Sequence, residues 1–217
     1  MDLKFLPLEQ EYSNYQVFGF DEAGRGPLAG PLSLSILHFH PKDLHLIQSA
    51  EILPELNDSK KLSEKKRDLL FSHIPRFSSS FQIFISPKSI DKFGLSFCIF
   101  RGILSLLKKS GAQNPFLLID GNYKFEKYFH DTSFPYRSII QGDSKVASIA
   151  GASIIAKVKR DRYMKELSLK YPDYEFEKHK GYGTERHRNK IKELGPTKHH
   201  RMTFLNETPL FPNLSLY

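Results

Sequence analysis

The stretch that most limits how this chain can fold is 144–156, SKVASIAGASIIA, where Ala147, Ser148, Ala150, Gly151, Ala152, Ser153 and Ala156 contribute almost no side-chain bulk. From Ser144 to about Lys170 the pattern is helical. Gly151 alone costs about 1 kcal/mol against alanine in a helix interior. Small side chains let a helix backbone lie very close to a sheet or another helix, so this segment is expected to pack closely against its neighbours.

The other elements follow from periodicity and turn chemistry. Val17–Phe20 and Leu32–Phe39 are apolar runs around a Gly/Pro-rich turn, and Ser80–Ile85 and Pro135–Ile140 are further strand candidates. Phe116–Ile119 is a short, wholly apolar run of the kind buried on both faces of a sheet. Ser63–Ile74 and Ile90–Lys109 are predicted helices, the second ended by Gly111. Strands first, then helices alternating with strands, indicate an α/β fold with a mixed sheet. No repeat, low-complexity tract or linker interrupts the 217 residues, so one domain spanning 1–217 with a C-terminal extension is expected. The single cysteine, Cys98, lies in LSFCIFRGILSLL, is predicted to be a buried thiol, and has no internal disulfide partner. No apolar run approaches the roughly 20 residues needed to cross a bilayer, and the start lacks a signal-peptide apolar region, so a cytoplasmic protein is expected.

The formal charge is +8, and the excess is concentrated. Between Lys157 and Arg201 stand fourteen Lys or Arg against seven acids, together with His179, His187, His199 and His200. Such a stretch suits a polyanion, although a solvated helix face accounts for it equally well. The second basic cluster, Ser59–Arg67, favours nucleic acid. The adjacent His199 and His200 lack partners at zinc-ligand spacing and are expected at the surface.

Four carboxylates stand at element ends. Asp21 and Glu22 follow the first strand, Asp120 ends FLLID, and Asp143 immediately precedes the small-residue helix. If the first and fourth strands are adjacent and parallel, Asp21 and Asp120 emerge at the same sheet edge, where α/β sites collect. Clustered carboxylates suit Mg²⁺ or Mn²⁺, and two such ions can stabilise both the attacking and the leaving oxygen of a phosphodiester. Each acid also has a plainer reading. Asp21-Glu22 fits a strand-ending turn, Asp120-Gly121 a hairpin turn, and Asp143 a helix N-cap.

The motifs DEAGRGPLAGP from Asp21, NDSKKLSEKKR from Asn57, LLIDGN ending at Asn122, GDSKVASIAGASIIAKVKRDR from Gly142, HKGYGTERH from His179 and GPTKHHRMTF from Gly195 appear in one order. Together they resemble ribonuclease HII, the type 2 ribonuclease H family, over nearly the whole chain. The resemblance implies a ribonuclease H-like fold whose C-terminal helical segment, from about 172, binds substrate. It also implies divalent-metal hydrolysis of RNA in RNA/DNA hybrids and at ribonucleotides embedded in duplex DNA, by a protein expected to be a monomer. Carried over, the catalytic and metal-binding residues are Asp21, Glu22, Asp120 and Asp143. Asp161 competes for the last place, but about eighteen helical residues put it roughly 27 Å from Asp143, so it is expected to be an ion-pairing residue on the helix surface. Gly24, Arg25 and Gly26 are implied to contact ribose 2′-hydroxyls, the group that separates RNA from DNA. Tyr182 resembles the tyrosine that packs on a sugar near an RNA–DNA junction, with a half-buried aromatic as its plainer reading. Asn57, Ser59, Lys60, Lys61, His179 and Lys180 resemble phosphate binders, and Arg201 either joins a basic strip or packs the C-terminal segment. Gly94 and Gly151 depart from the family pattern, which usually has Asn and Ala there. A non-catalytic hybrid-binding module and another metal nuclease, such as a junction resolvase, are the rival readings.

Overall fold

Among residues 3–127 and 134–206, which the computed structural model describes, a five-stranded sheet forms in the order β3-β2-β1-β4-β5. Its strands are β1 (Gln16–Ala23), β2 (Leu32–Phe39), β3 (Ser78–Ile85), β4 (Pro115–Asp120) and β5 (Tyr136–Ile139). β1–β2 and β2–β3 are antiparallel, and β1–β4 and β4–β5 are parallel, so the sheet is mixed. Helices α1 (Leu8–Glu11), α2 (Pro41–Gln48), α3 (Glu64–His73), α4 (Pro87–Phe93), α5 (Leu95–Ser110), α6 (Gly142–Lys145) and α7 (Ala147–Lys170) surround it. The C-terminal extension consists of α8 (Phe176–His179), α9 (Glu185–Leu194) and α10 (Met202–Asn206). No described helix is long and apolar enough to cross a membrane.

Strand alternation divides the core between the two sheet faces. Phe18, Phe20, Leu117 and Ile119 pack with Ile99, Ile103 and Leu106 of α5 on one face. On the other face Val17 and Leu118 meet Ile149 of α7, and Leu37 and Phe39 meet Ala147, Ala150 and Ile154. The small residues of α7 have the predicted use: a Cβ added to Gly19 would lie 2.1 Å from the Ser148 carbonyl carbon. At Gly151, one departure from the family pattern, a Cβ would lie 2.8 Å from the Leu37 side chain and 3.3 Å from the Phe39 ring, so alanine there requires these two buried side chains, and no backbone, to shift.

Two predicted helices are broken. Ile90–Lys109 divides at Gly94, whose φ of 78° and extended ψ end α4 and start α5. The helix predicted from Ser144 begins as α6, and Val146, in extended conformation, separates it from α7. Asp143 therefore lies inside α6 and does not cap the long helix. That role falls to Glu9 of α1, whose carboxylate accepts the Ser148 amide at 3.0 Å and is itself held by Gln48. Neither α1 nor α2 was anticipated. The C-terminal segment is fastened to α4 by Asp91, which accepts the Met202 and Thr203 amides at 3.0 and 3.1 Å. Cys98 is buried and free, as expected.

Candidate active site

β1 and β4 pair in parallel up to Phe20 and Ile119, so Asp21 and Asp120 stand side by side just beyond that pairing. Asp21 and Glu22 do not follow the first strand as expected but lie inside it, because β2 continues the ladder opposite them at Ser35 and Leu34. Asp21 and Asp120 share a face with Val17, Gly19 and Leu118, the face covered by α7. Asp120 Oδ1 accepts the Gly142 amide at 2.7 Å, which brings α6 and Asp143 against the strand ends. One carboxylate oxygen from each of Asp21, Asp120 and Asp143 can lie within 4.8 Å of the others. Glu22 follows Asp21 along the strand and so points to the opposite face. Its Oε1 accepts Arg25 at 3.3 Å, and its buried Oε2 has no hydrogen-bond partner.

Burial, then the negative charges of Glu22 and Asp120, hold the Asp21 pKa well above the usual carboxylate value. Burial also raises Glu22, with Arg25 opposing it. Asp143 is pushed up to about 6 by burial, then by Asp120 and Asp58. Lys60 reaches over the cluster with Nζ 3.8 Å from Asp143 Oδ2. Burial works against its ammonium, but the combined pull of Asp21, Asp143, Asp58 and Asp120 raises its pKa. Close carboxylates with raised pKa values and an unpartnered buried oxygen are short of positive charge. With oxygen donors only, they fit a hard divalent cation.

The carboxylates open into a cleft of about 240 Å³ lined by Asp21, Glu22, Asp120, Gly24–Gly26, Ser59, Lys60 and Tyr182. Gly24 has φ 97°, and a Cβ there would meet the Arg160 guanidinium at 2.0 Å, so only glycine fits. Arg25 is exposed and donates to the Tyr123 hydroxyl at 2.7 Å. Tyr182, 46% exposed, presents its ring to the same cleft, with the Arg160 guanidinium 5.9 Å from the ring centre.

The proposed phosphate binders divide. Lys60 and Lys61 are exposed, whereas Ser59 is buried with its hydroxyl 2.8 Å from that of Ser153. Asn57 Oδ1 accepts the Asp58 amide at 2.8 Å. Lys180 is half-buried and turns its ammonium back to the Glu177 carbonyl. His179 is not placed to meet a phosphate. It is buried, Nε2 is 2.8 Å from the Tyr174 carbonyl, and Nδ1 takes the Gly181 amide, so neither nitrogen faces the cleft. His200, expected at the surface, is 2% exposed and pairs with the buried His187. Asp161 is ion-paired as expected, to Lys157 at 2.8 Å, but it is buried. Of the two readings of Arg201, packing holds: it is fully buried and donates to the carbonyls of Gly24, Arg25 and Gly30.

Sequence reasoning missed Tyr123, Arg160 and the buried histidines. Arg160 had a signal, since 152, 156, 160 and 164 follow helical spacing of four and the other three positions are small or apolar. It is 1% exposed and donates to the carbonyls of Ala29, Pro31 and Lys180.

The family profile described as Ribonuclease HII matches residues 18–207. The Ribonuclease HII of Endomicrobium trichonymphae is 44% identical over 191 residues, covering 88% of this chain and 85% of that protein. That of Aliarcobacter butzleri is 43% identical over 186 residues, covering 86% and 88%. In fold the chain is similar to a solved protein from a PCNA:RNase HII complex of Archaeoglobus fulgidus. There the TM-score is 0.71 at 24% identity, over 86% of this chain and 94% of that one. With the family profile spanning most of its length and relatives above 40% identity, the chain belongs to the ribonuclease HII family of type 2 ribonuclease H endoribonucleases.

Proposed function

We propose that this chain hydrolyses the RNA strand of RNA/DNA hybrids and cuts duplex DNA at embedded ribonucleotides, leaving 5′-phosphate and 3′-hydroxyl ends. The observation that carries the reading is the shared cleft: Asp21, Glu22, Asp120, the Gly24–Gly26 loop and Tyr182 line one cavity, and Asp143 clusters with Asp21 and Asp120 beside it. Two Mg²⁺ or Mn²⁺ ions held by Asp21, Glu22, Asp120 and Asp143 would supply activation of the attacking water and stabilisation of the leaving 3′-oxygen. The residues themselves set where the cut falls. Backbone groups of Gly24–Gly26, hydrogen-bonded from below by Arg201 and packed against Arg160 at Gly24, meet the ribose 2′-hydroxyl. The Tyr182 ring packs on the neighbouring sugar. Lys60 and Lys61 bind backbone phosphates, Asn57 and the buried Ser59 shape the loop that presents them, Lys180 joins them once its ammonium turns outward, and the C-terminal helical segment from about 172 completes a domain spanning 1–217.

One chain supplies every one of these groups, which suits a monomer; its action on nucleic acid in the cytoplasm is part of the same proposal. The test is cleavage of three labelled duplexes: an RNA/DNA hybrid, a DNA duplex with one ribonucleotide, and an all-DNA control, followed by analysis of the product ends. Cutting of the first two alone, with 5′-phosphate products, supports the reading. Equal cutting of the all-DNA duplex overturns it.

A further inference from the structure

We propose that His187 and His200 are positioning residues for Tyr182, acting through a one-directional hydrogen-bond relay that fixes the tyrosine relative to the Gly24–Gly26 loop. The inference rests on the reading above that Tyr182 meets the substrate sugar.

The direction of the relay follows from which groups can only donate or only accept. The Thr197 amide donates to His200 Nδ1 at 2.9 Å, so a neutral His200 carries its proton on Nε2. That nitrogen faces His187 Nε2 at 3.1 Å, which must then be bare. The His187 proton is therefore on Nδ1, 2.9 Å from the Tyr182 carbonyl, which can only accept. The series runs from Thr197 to His200, to His187, to the backbone of Tyr182. A proton added to either ring would set two donors face to face, and burial keeps both rings neutral. His179 stacks on His187 with ring centres 4.2 Å apart, which limits tilting of the second ring.

The next residue after His200 holds the other half of the cleft. Arg201 donates to the Gly24 carbonyl at 2.7 Å, to Arg25 at 2.8 Å and to Gly30 at 3.0 Å. Two further links close the frame: the Gly181 carbonyl accepts the Leu28 amide at 2.9 Å, and the His199 carbonyl accepts the Gly30 amide at 2.8 Å. The loop that meets the ribose and the tyrosine that meets its neighbour are thus held from adjacent residues. Leucine or phenylalanine would fill this space without the cost of burying imidazoles. What the imidazoles add is a second donor to the Tyr182 carbonyl, which also accepts the Thr184 amide at 2.8 Å, so that the carbonyl is held from a side chain as well as from its own turn.

The test uses the ratio of initial rates on a single embedded ribonucleotide and on a long hybrid. His187→Leu should lower that ratio about fivefold, the worth of one hydrogen bond. His187→Asn, whose amide can donate from the position of Nδ1, should recover most of it. In a Tyr182→Ala background His187→Leu should leave the ratio where Tyr182→Ala alone puts it. If His187→Leu does not fold, His187→Gln replaces it: its oxygen can accept from His200, but the side-chain donor to Tyr182 is lost, so the same fall is expected. Nitrogen NMR of histidine-labelled wild type should show His187 protonated on Nδ1 and His179 and His200 on Nε2. An Nε2-protonated His187, an unchanged ratio, or an equal fall with and without the Tyr182 ring overturns the relay alone. A Tyr182→Ala variant that keeps the wild-type ratio overturns the reading of Tyr182, and the relay with it.

Discussion

Asp120 Oδ1 accepts the Gly142 amide at 2.7 Å, so the carboxylate that ends β4 also sets the position of α6 and of Asp143 within it. Asp120→Asn can keep this bond through its amide oxygen while losing the negative charge. The variant should melt like the wild type but cut at least about 100-fold more slowly, because a lost charge beside the metals forfeits several kcal/mol of transition-state stabilisation. Thermal melts and initial rates in Mg²⁺ check both halves. A variant that loses rate only because it unfolds contradicts the assignment.

The approach of α7 to β1 is a separate prediction about stability. Gly19→Ala would force a methyl group to 2.1 Å from the Ser148 backbone, which cannot move aside as a side chain can. Overpacking of this kind costs about 1–3 kcal/mol or more. Gly26→Ala, where nothing lies within 4 Å of the added carbon, should leave the melting temperature unchanged. Equal melting temperatures for the two variants would mean that α7 lies farther from the sheet.

Much of this was legible in the sequence. The density of small residues before Ile154 announced the contact that Gly19 makes with Ser148. The apolar run ending in Asp120 announced a central strand and placed its acid beside Asp21. What the sequence concealed depended on contacts distant along the chain. The Glu9 carboxylate caps α7 across 139 residues, and Arg201 reaches Gly24 across 177. The adjacent His199 and His200 give no local sign that one is buried against His187. Gly94 was noticed as a departure from the family pattern, but its positive φ, which breaks the predicted helix, belongs to the backbone alone.

Charge crowding should make the metal-free protein sensitive to pH. Burial and the neighbouring Asp120 and Asp58 raise Asp143 to about 6 from an ordinary 3.8, so between these values the folded state holds more protons than the unfolded one. Stability from this group is therefore lost as pH rises from about 4 to about 6. Asp143→Asn should raise the melting temperature in chelator at pH 7.5 and lose that advantage near pH 4. His187 and His200 titrate with the opposite sign, but both proteins contain them, so they cancel in the difference. An advantage that grows toward pH 4 would contradict the crowding.

Salt dependence should separate the two basic residues before α3. Lys61 is exposed and forms no ion pair with a carboxylate among the described residues, whereas Lys60 lies 3.8 Å from Asp143. Each phosphate contact removed should reduce the slope of log affinity against log salt by about 0.9. Lys61→Ala should show that change alone, and Lys60→Ala should also alter metal affinity. Filter binding of a hybrid in chelator measures the slopes, and unchanged slopes would make the cluster a solvated face.

The account stands most directly on whether Asp21 is needed for metal-dependent cutting. The deciding measurement is the initial rate at a single ribonucleotide in labelled duplex DNA, for wild type and Asp21→Asn, in Mg²⁺, Mn²⁺ and chelator. The wild type should cut in either metal and not in chelator, and Asp21→Asn, folded as the wild type, should cut in none of the three. Near-normal turnover of Asp21→Asn in Mg²⁺, or wild-type cutting that persists in chelator, would contradict the site.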